Sequence, residues 1–156
     1  MKNGLLLFLV LTWITACATQ EICDNDNQSE LVARFKTAGE LGTTDTLLAA
    51  VTVYGIRQDK PDSLIYNTLN TNRLILPLNP NATFSTFVID ASGTSDTLTI
   101  NHRTEYYLIS YTCGFAALFT VESLEHTTRM IRETRIIQSV IDASLEQNEE
   151  HIWLYF

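Results

Sequence analysis

Three cysteines, Cys17, Cys23 and Cys113, are the residues whose chemistry the sequence indicates most clearly. Cys17 ends the segment Ile14-Thr15-Ala16-Cys17, which follows a short apolar run near the start of the chain. A hydrophobic residue, two small or polar residues and a cysteine in this position are typical of a bacterial lipoprotein signal. In that chemistry the thiol takes a diacylglycerol, the chain is cleaved before it, and the new amino group takes an acyl chain such as palmitate. The sequence therefore predicts a signal peptide over residues 1–16 and lipidation at Cys17.

The apolar run before Cys17 is too short to cross a bilayer, because a spanning helix needs roughly 20 apolar residues. Its length, and the small residues that follow it, fit a cleaved signal instead. Each buried methylene contributes about 0.8 kcal/mol, so several acyl chains together would hold the protein on a membrane. The alternative is an ordinary secretory signal with cleavage near Ala18, and both alternatives export the protein.

Acylation of Cys17 would leave Cys23 and Cys113 as an even pair in an oxidising compartment, where exported thiols tend to form disulfides. A Cys23–Cys113 bond would close a loop of about 90 residues and, on the chain-entropy model, stabilise the fold by about 4–5 kcal/mol. The alternative is two buried free thiols.

Three tripeptides combine an aspartate, a hydroxyl residue and a leucine: Asp45-Thr46-Leu47, Asp62-Ser63-Leu64 and Asp96-Thr97-Leu98. Bacteroidota use this pattern for O-glycosylation of exported proteins, so the middle residue of each is a candidate site: Thr46, Ser63 and Thr97. The alternative is that each aspartate ends a turn and the next residues begin a strand.

Motifs that assemble catalytic or metal chemistry are missing from the sequence, including G-x-S-x-G, H-E-x-x-H, a phosphate-binding loop and a dinucleotide fingerprint. The histidines His102, His126 and His151 lie far apart without ligand spacing. The acidic segment 24–30 resembles a calcium loop, but Ser29 stands where an EF-hand needs glycine, which favours a solvated linker. We therefore expect no enzyme activity, no metal site and no cofactor.

The net charge of the chain limits the classes of partner that it is expected to bind. The chain has 18 acidic and 10 basic residues, a formal net charge of −8. A polyanion repels phosphate backbones and anionic head groups, which argues against nucleic-acid binding and electrostatic membrane docking. Membrane contact would have to come from the lipid.

From Leu31 onward, short β-branched and aromatic runs alternate with Gly, Asn, Asp and Pro. This pattern predicts an all-β fold, a two-sheet antiparallel sandwich of immunoglobulin-like type over residues 31–156, after a tether over 17–30. Segment 130–145 is open between strand and helix, with strand favoured. The expected strands are Leu31–Lys36, Leu48–Ile56, Ser63–Tyr66, Arg73–Leu76, Thr83–Asp90, Asp96–His102, Tyr106–Cys113, Phe115–Leu124 and His151–Phe156.

A family resemblance follows from the order of several segments after the two N-terminal cysteines. They are Leu31–Phe35, Val53–Gly55, Leu74–Asn79, Ser110–Phe115 and an Ile-x-Leu-Tyr-Phe-like ending. In this order they resemble a group of uncharacterised small lipoproteins from Bacteroidota, over essentially the whole mature chain. The resemblance implies an envelope lipoprotein with a sandwich-like domain, supports Cys23 and Cys113 as matched structural positions, and carries over no catalytic residue.

Three functional hypotheses remain. The leading one is a non-enzymatic lipoprotein of the outer membrane that holds or stabilises a partner such as an outer-membrane β-barrel protein, through a sheet edge or loops. The second is a small-ligand or glycan-binding module, with Tyr54, Tyr66, Tyr106 and Trp153 as a stacking platform. The third is an unrecognised hydrolase, which needs a pocket with two facing titratable groups.

The residues that directly follow Cys17 contain a single acid, Glu21. This favours the periplasmic face of the outer membrane over the cell surface.

Overall fold

The computed structural model describes residues 29–39, 42–57, 60, 62–143 and 149–156. Within these ranges the regular structure consists of strands, and no helix is present. None of these residues forms a helix long and apolar enough to cross a membrane. The strands are β1 (Glu30–Gly39), β2 (Gly42–Asp45), β3 (Leu48–Gly55), β4 (Ser63–Thr71), β5 (Arg73–Pro77), β6 (Phe84–Ala91), β7 (Thr94–Ser110), β8 (Gly114–His126), β9 (Glu133–Ile136), β10 (Val140–Ile141) and β11 (Ile152–Tyr155).

The strands form two packed sheets, which confirms the all-β sandwich. One sheet, here called the antiparallel sheet, has the order β10-β8-β7-β6-β3-β4. The other, the mixed sheet, has the order β2-β1-β11-β9, and β5 also pairs with β1. Strands β1 and β11 run parallel, with Arg34 opposite Trp153. The sandwich therefore contains one parallel pair, whereas an antiparallel sandwich was predicted.

Strand β1 shares one of its edges between two partners. The backbone N–H of Phe35 donates to the carbonyl of Asn72 at 2.9 Å, and the N–H of Thr46 donates to the carbonyl of Phe35 at the same distance. This edge of β1 therefore pairs with β5 before Phe35 and with β2 after it. The opposite edge pairs with β11, so the last strand of the chain lies inside the mixed sheet and is not a frayed tail.

The core lies between the two sheets and follows the alternation of the sequence. Leu98 and Ile100 of β7 are fully buried, while Thr97, Thr99 and Asn101 on the other face are partly exposed. Burial of such an aliphatic side chain contributes about 1.5–3 kcal/mol. The other fully buried large apolar side chains are Phe35, Leu31, Leu74, Leu76, Ile89, Ile131, Ile141, Ile152 and Leu154.

Some strand boundaries differ from the prediction. Strand β7 is continuous over 17 residues, whereas two strands, Asp96–His102 and Tyr106–Cys113, were expected. The charged residues between them, Arg103 and Glu105, do not end the strand, because both lie on its exposed face, while Thr104 between them is only partly exposed. Segment 130–145 contains β9 and β10 joined by irregular backbone, so the strand prediction is confirmed in part. Residues 144–148 lie outside the described part of the chain.

The β7–β8 hairpin extends past one end of the sandwich. The N–H of His102 donates to the carbonyl of Thr83 at 2.8 Å, and beyond His102 the register of β7 is with β8 alone among the described strands. Tyr106 pairs with Ala117 in this extension. The hairpin therefore carries the last residues of β7 past the end of β6, whereas Ala116 near the start of β8 is buried.

Candidate functional site

The end of the β7–β8 hairpin, residues Tyr106–Phe115, is the most exposed apolar feature of the described chain, and we call it the hairpin tip. Tyr111 is 99% exposed, Phe115 65% and Tyr106 60%. Leu108 and Ile109, which point to opposite faces of β7, are both more than 40% exposed. Contiguous exposed apolar side chains of this kind usually mark an interaction site.

Local interactions fix the shape of the hairpin tip. Ser110 pairs with Gly114 across the turn, and the N–H of Cys113 donates to Ser110 Oγ at 3.0 Å. Gly114 has a φ of +78°, a conformation that glycine adopts without steric cost, so it completes the turn and starts β8. The hairpin tip is therefore a defined surface.

The hairpin tip is uncharged in a strongly acidic protein. No charged residue occurs from Tyr106 to Val121. Arg103 and Glu105, just before the tip, form an exposed ion pair of 3.1 Å and so largely compensate each other. A surface with apolar side chains and no net charge suits a neutral apolar partner better than a polyelectrolyte.

The chain enters the domain beside this hairpin. The hydroxyl of Ser29 donates to the carbonyl of Ala117 on β8. Cys113, within the tip, is disulfide-bonded. The two other cysteines, Cys17 and Cys23, lie outside the described residues, so lipidation of Cys17 and pairing of Cys23 with Cys113 stay predictions.

A cavity of about 650 Å³ opens at the same end of the sandwich, and we call it the end groove. It lies between the end of β3, the start of β4 and the start of β6 on one side, and the end of β5 with the following loop on the other. Ile65, Leu78 and Phe87 are among its apolar lining, and Arg57 and Lys60 are the charged residues of its described lining. This volume is typical of small-molecule sites.

Below the end groove, Ser85 and His102 form the closest approach to a nucleophile–base pair. His102 Nε2 lies 3.0 Å from Ser85 Oγ. Burial lowers the pKa of His102, although the charge of Glu122 acts in the opposite direction, so the imidazole is neutral at pH 7. Ser85 Oγ also accepts from the N–H of Asn79 at 2.9 Å.

This pair lacks the features of a hydrolytic site. A catalytic histidine is oriented by a third group on its other nitrogen, whereas His102 Nδ1 is buried without a hydrogen-bond partner among the described residues. Ser85 is itself buried and holds the loop after β5 in place. The pair was not predicted from the sequence. Ser85 is two residues from inward-facing Phe87, and His102 is two residues from inward-facing Ile100, so each shares the inward face of its strand. Two polar residues at inward-facing positions of neighbouring strands were the sequence feature that could have identified the pair.

Asp96, the first residue of a predicted glycosylation tripeptide, has a structural role. It is 1% exposed, and its carboxylate accepts from the hydroxyl of Thr127 and the N–H groups of Arg129, Met130 and Ile131. Burial raises the pKa of Asp96, but these hydrogen bonds outweigh it and lower the pKa to about 2. Asp96 therefore holds segment 127–131 against the antiparallel sheet.

The three predicted glycosylation residues lie apart from one another, and each is partly exposed. Thr46 lies between β2 and β3, where its hydroxyl is hydrogen-bonded to that of Thr37. Ser63 begins the edge strand β4, and Thr97 lies within β7. The alternative of aspartate ending a turn does not hold at Asp96, which lies inside a strand.

The histidines do not meet either. His151 is fully buried, and its Nδ1 accepts from the N–H of Val32 at 2.8 Å. Burial lowers the pKa of His151, while the charge of Asp142 acts to raise it. In the described ranges, no three His, Cys, Asp or Glu side chains are close enough to hold a metal ion.

The four aromatic residues of the expected stacking platform lie in different places. Tyr54 lies on β3 and is 40% exposed. The hydroxyl of Tyr66 accepts from the N–H of Ile75 at 2.9 Å and so links the two sheets. Trp153, in the mixed sheet, is covered by the Lys36 ammonium, which lies 4.6 Å from its ring centroid. Tyr106 lies on the hairpin tip. The structure therefore does not bring Tyr54, Tyr66, Tyr106 and Trp153 together.

These features define an all-β sandwich with one exposed apolar hairpin and a groove beside it. The chain belongs to a family of unknown function, DUF6452, whose family model matches residues 50–156. The matched region includes the hairpin tip and every residue of the end groove. No curated protein and no solved structure matches the chain.

Proposed function

We propose that this protein is a non-enzymatic lipoprotein of the outer membrane, anchored through acylated Cys17, that serves as an accessory subunit of an outer-membrane protein assembly. In this proposal the hairpin tip docks on the partner. The observation that carries it is the exposure of Tyr111, Phe115 and Tyr106 on an uncharged hairpin that projects past the core. Soluble domains rarely leave such a surface uncovered without an interaction to cover it.

The place of the tether makes a membrane-embedded partner the best occupant. Eleven residues, 18–28, separate Cys17 from Ser29, and this length spans at most about 40 Å. If Cys23 is bonded to Cys113, only the residues between Cys17 and Cys23 separate the lipid from the tip, at most about 20 Å. The tip would then lie beside the bilayer, at the level where an outer-membrane protein presents its periplasmic or extracellular rim.

Other features support parts of the proposal. The lipoprotein signal and the ordered sequence segments support a Bacteroidota envelope lipoprotein. The single acid directly after Cys17, Glu21, supports the periplasmic face. A role without turnover is supported by Ser85 and His102, because the serine oxygen already accepts from Asn79 and the histidine has no orienting partner on Nδ1 among the described residues.

Site-specific photocrosslinking in the native host tests the docking surface. A benzoylphenylalanine would replace Tyr111, and the control position is Leu47, which is 69% exposed but precedes β3 at the end opposite the groove. We expect a discrete protein adduct from position 111 and none from position 47. Adducts with lipid alone, or the same adducts from both positions, would contradict docking on a protein. The mass of the mature N-terminal peptide tests the acylation of Cys17 separately.

A further inference from the structure

Beyond the proposed docking role, we infer that the end groove is a binding site for an amphipathic organic anion, a molecule with an apolar body and one carboxylate or phosphate end. The inference uses the walls, the charges and the rigidity of the groove. It does not depend on lipidation of Cys17 or on the partner of the hairpin tip.

The walls of the groove carry apolar side chains among polar ones such as Asn79 and Asn81. Phe87 and Leu78 are buried side chains of the core edge that line its floor, and Ile65, Ile56 and Phe84 line it nearer the opening. Ile56 and Phe84 are each about 40% exposed, so a ligand would cover apolar surface that water now reaches. Removal of this surface from water favours an apolar ligand body by about 25 cal/mol per Å².

The charged side chains in the described lining of the opening are both cations. They are Arg57 and Lys60, and Asp59, between them in the sequence, lies outside the described residues. Asp62, on the same loop, accepts from the backbone N–H of Arg57 at 3.4 Å and is not part of the lining. Two cations beside an apolar wall select a ligand with a negative end, because charge-assisted hydrogen bonds to carboxylate or phosphate are stronger than neutral ones.

The walls of the groove are held by hydrogen bonds. The N–H of Ile56 donates to the carbonyl of Thr86 at 2.8 Å, and Asn79 is tied to Ser85. Gly55 leaves room between these walls, since a Cβ there would lie 3.4 Å from Ile65 Cδ1 and 3.8 Å from a Phe87 ring carbon. Its φ is outside the left-handed region, so a larger side chain at position 55 would narrow the groove without backbone strain.

Calorimetric titration with two probes of equal chain length tests the inference. The probes are dodecanoate and dodecyltrimethylammonium below their micellar concentrations, and the protein is the chain from residue 17 with Cys17→Ala, which lacks both the acyl group and the predicted signal peptide. We expect one dodecanoate per chain, bound at least about tenfold more tightly than the cation, which is about 1.4 kcal/mol. The double variant Arg57→Gln/Lys60→Gln should weaken dodecanoate binding by about tenfold.

The matched control is Arg129→Gln/Arg132→Gln. It removes two arginines from a second cavity, of about 510 Å³, that lies at the other end of the sandwich. We expect it to change the affinity less than about twofold, and Gly55→Val to abolish binding in a chain that keeps its β circular-dichroism spectrum. Amide shifts in NMR should map to Leu78 and Phe87. Absence of dodecanoate binding, equal binding of the cation, equal losses in the two double variants, or shifts confined to the hairpin tip would each overturn the inference.

Discussion

The carboxylate of Asp96 accepts a hydrogen bond from the N–H of Ile131 at 2.8 Å, across 35 residues of sequence. This contact and its neighbours at Arg129 and Met130 hold the segment after β8. The segment leads from the antiparallel sheet to β9 in the mixed sheet. Asp96 thus fixes one crossing between the two layers, and Ile131, which it orients, is a fully buried core residue.

Replacement Asp96→Asn should destabilise the fold by about 2–3 kcal/mol, because the amide replaces one charged acceptor oxygen with a donor that faces N–H groups. Urea unfolding followed by circular dichroism measures the change. The control is Asp90→Asn, since the Asp90 carboxylate accepts one bond, from Gly93 at 3.2 Å in an exposed turn. Its expected cost is below about 1 kcal/mol. Equal costs at the two positions would contradict the anchoring role of Asp96.

The stability should fall in acid as Asp96 takes up a proton. Its pKa is about 2 in the folded chain against 3.8 for the unperturbed group, so the unfolded chain binds the proton first. The stabilisation is fully present above pH 4 and is lost as the pH falls from about 4 to 2, a loss on the order of 2 kcal/mol. Free energies of unfolding measured at pH 6, 4 and 3 should decline less in Asp96→Asn than in the wild type. Parallel declines would assign the acid sensitivity to other carboxylates.

The two-residue turn and the alternating core could be predicted from sequence because both are local properties. The segment Ala91-Ser92-Gly93-Thr94-Ser95 has residue types that favour a turn, and Ser92 and Gly93 have φ values of 53° and 86°, as a tight hairpin turn requires. Leu98 and Ile100 were expected to face the core, since side chains two apart share a face of a strand. These features need no information about distant parts of the chain.

The hairpin tip was not predicted, although its residues were assigned to strands. Tyr107 and Ile109 alternate with Tyr106 and Leu108, so apolar residues fall on both faces. That pattern is typical of a strand buried on both sides. Whether another element covers such a strand depends on where β6 stops pairing with β7, and this pairing ends at Asn101. The parallel β1–β11 pair and the end groove likewise depend on long-range register. Strand β2, Gly-Thr-Thr-Asp, has no apolar residue and so gave no signal.

Substitution Ser85→Ala should destabilise the fold by about 1–3 kcal/mol and should remove no enzyme activity, because it leaves the buried His102 Nε2 and the N–H of Asn79 without their partner. Thr86→Ala is the control. Its hydroxyl shares a part-exposed bond of 3.2 Å with Thr99, and its expected cost is below about 1 kcal/mol. Thermal unfolding of both variants gives the comparison. A wild-type esterase activity that Ser85→Ala abolishes would instead make Ser85 a nucleophile.

If Cys113 is bonded to Cys23, that disulfide links the folded domain to the predicted lipid anchor. Cys113 is disulfide-bonded, and acylation of Cys17 leaves Cys23 as the other thiol of the chain. Peptide mapping of the natural protein without reduction should therefore recover Cys23 linked to Cys113, and an N-terminal peptide whose Cys17 carries acyl groups. Cys113→Ser should lower the free energy of unfolding by about 4–5 kcal/mol on the chain-entropy model, and Cys23→Ser by the same amount. A Cys17–Cys113 linkage would contradict lipidation, because one sulfur cannot form both a thioether and a disulfide.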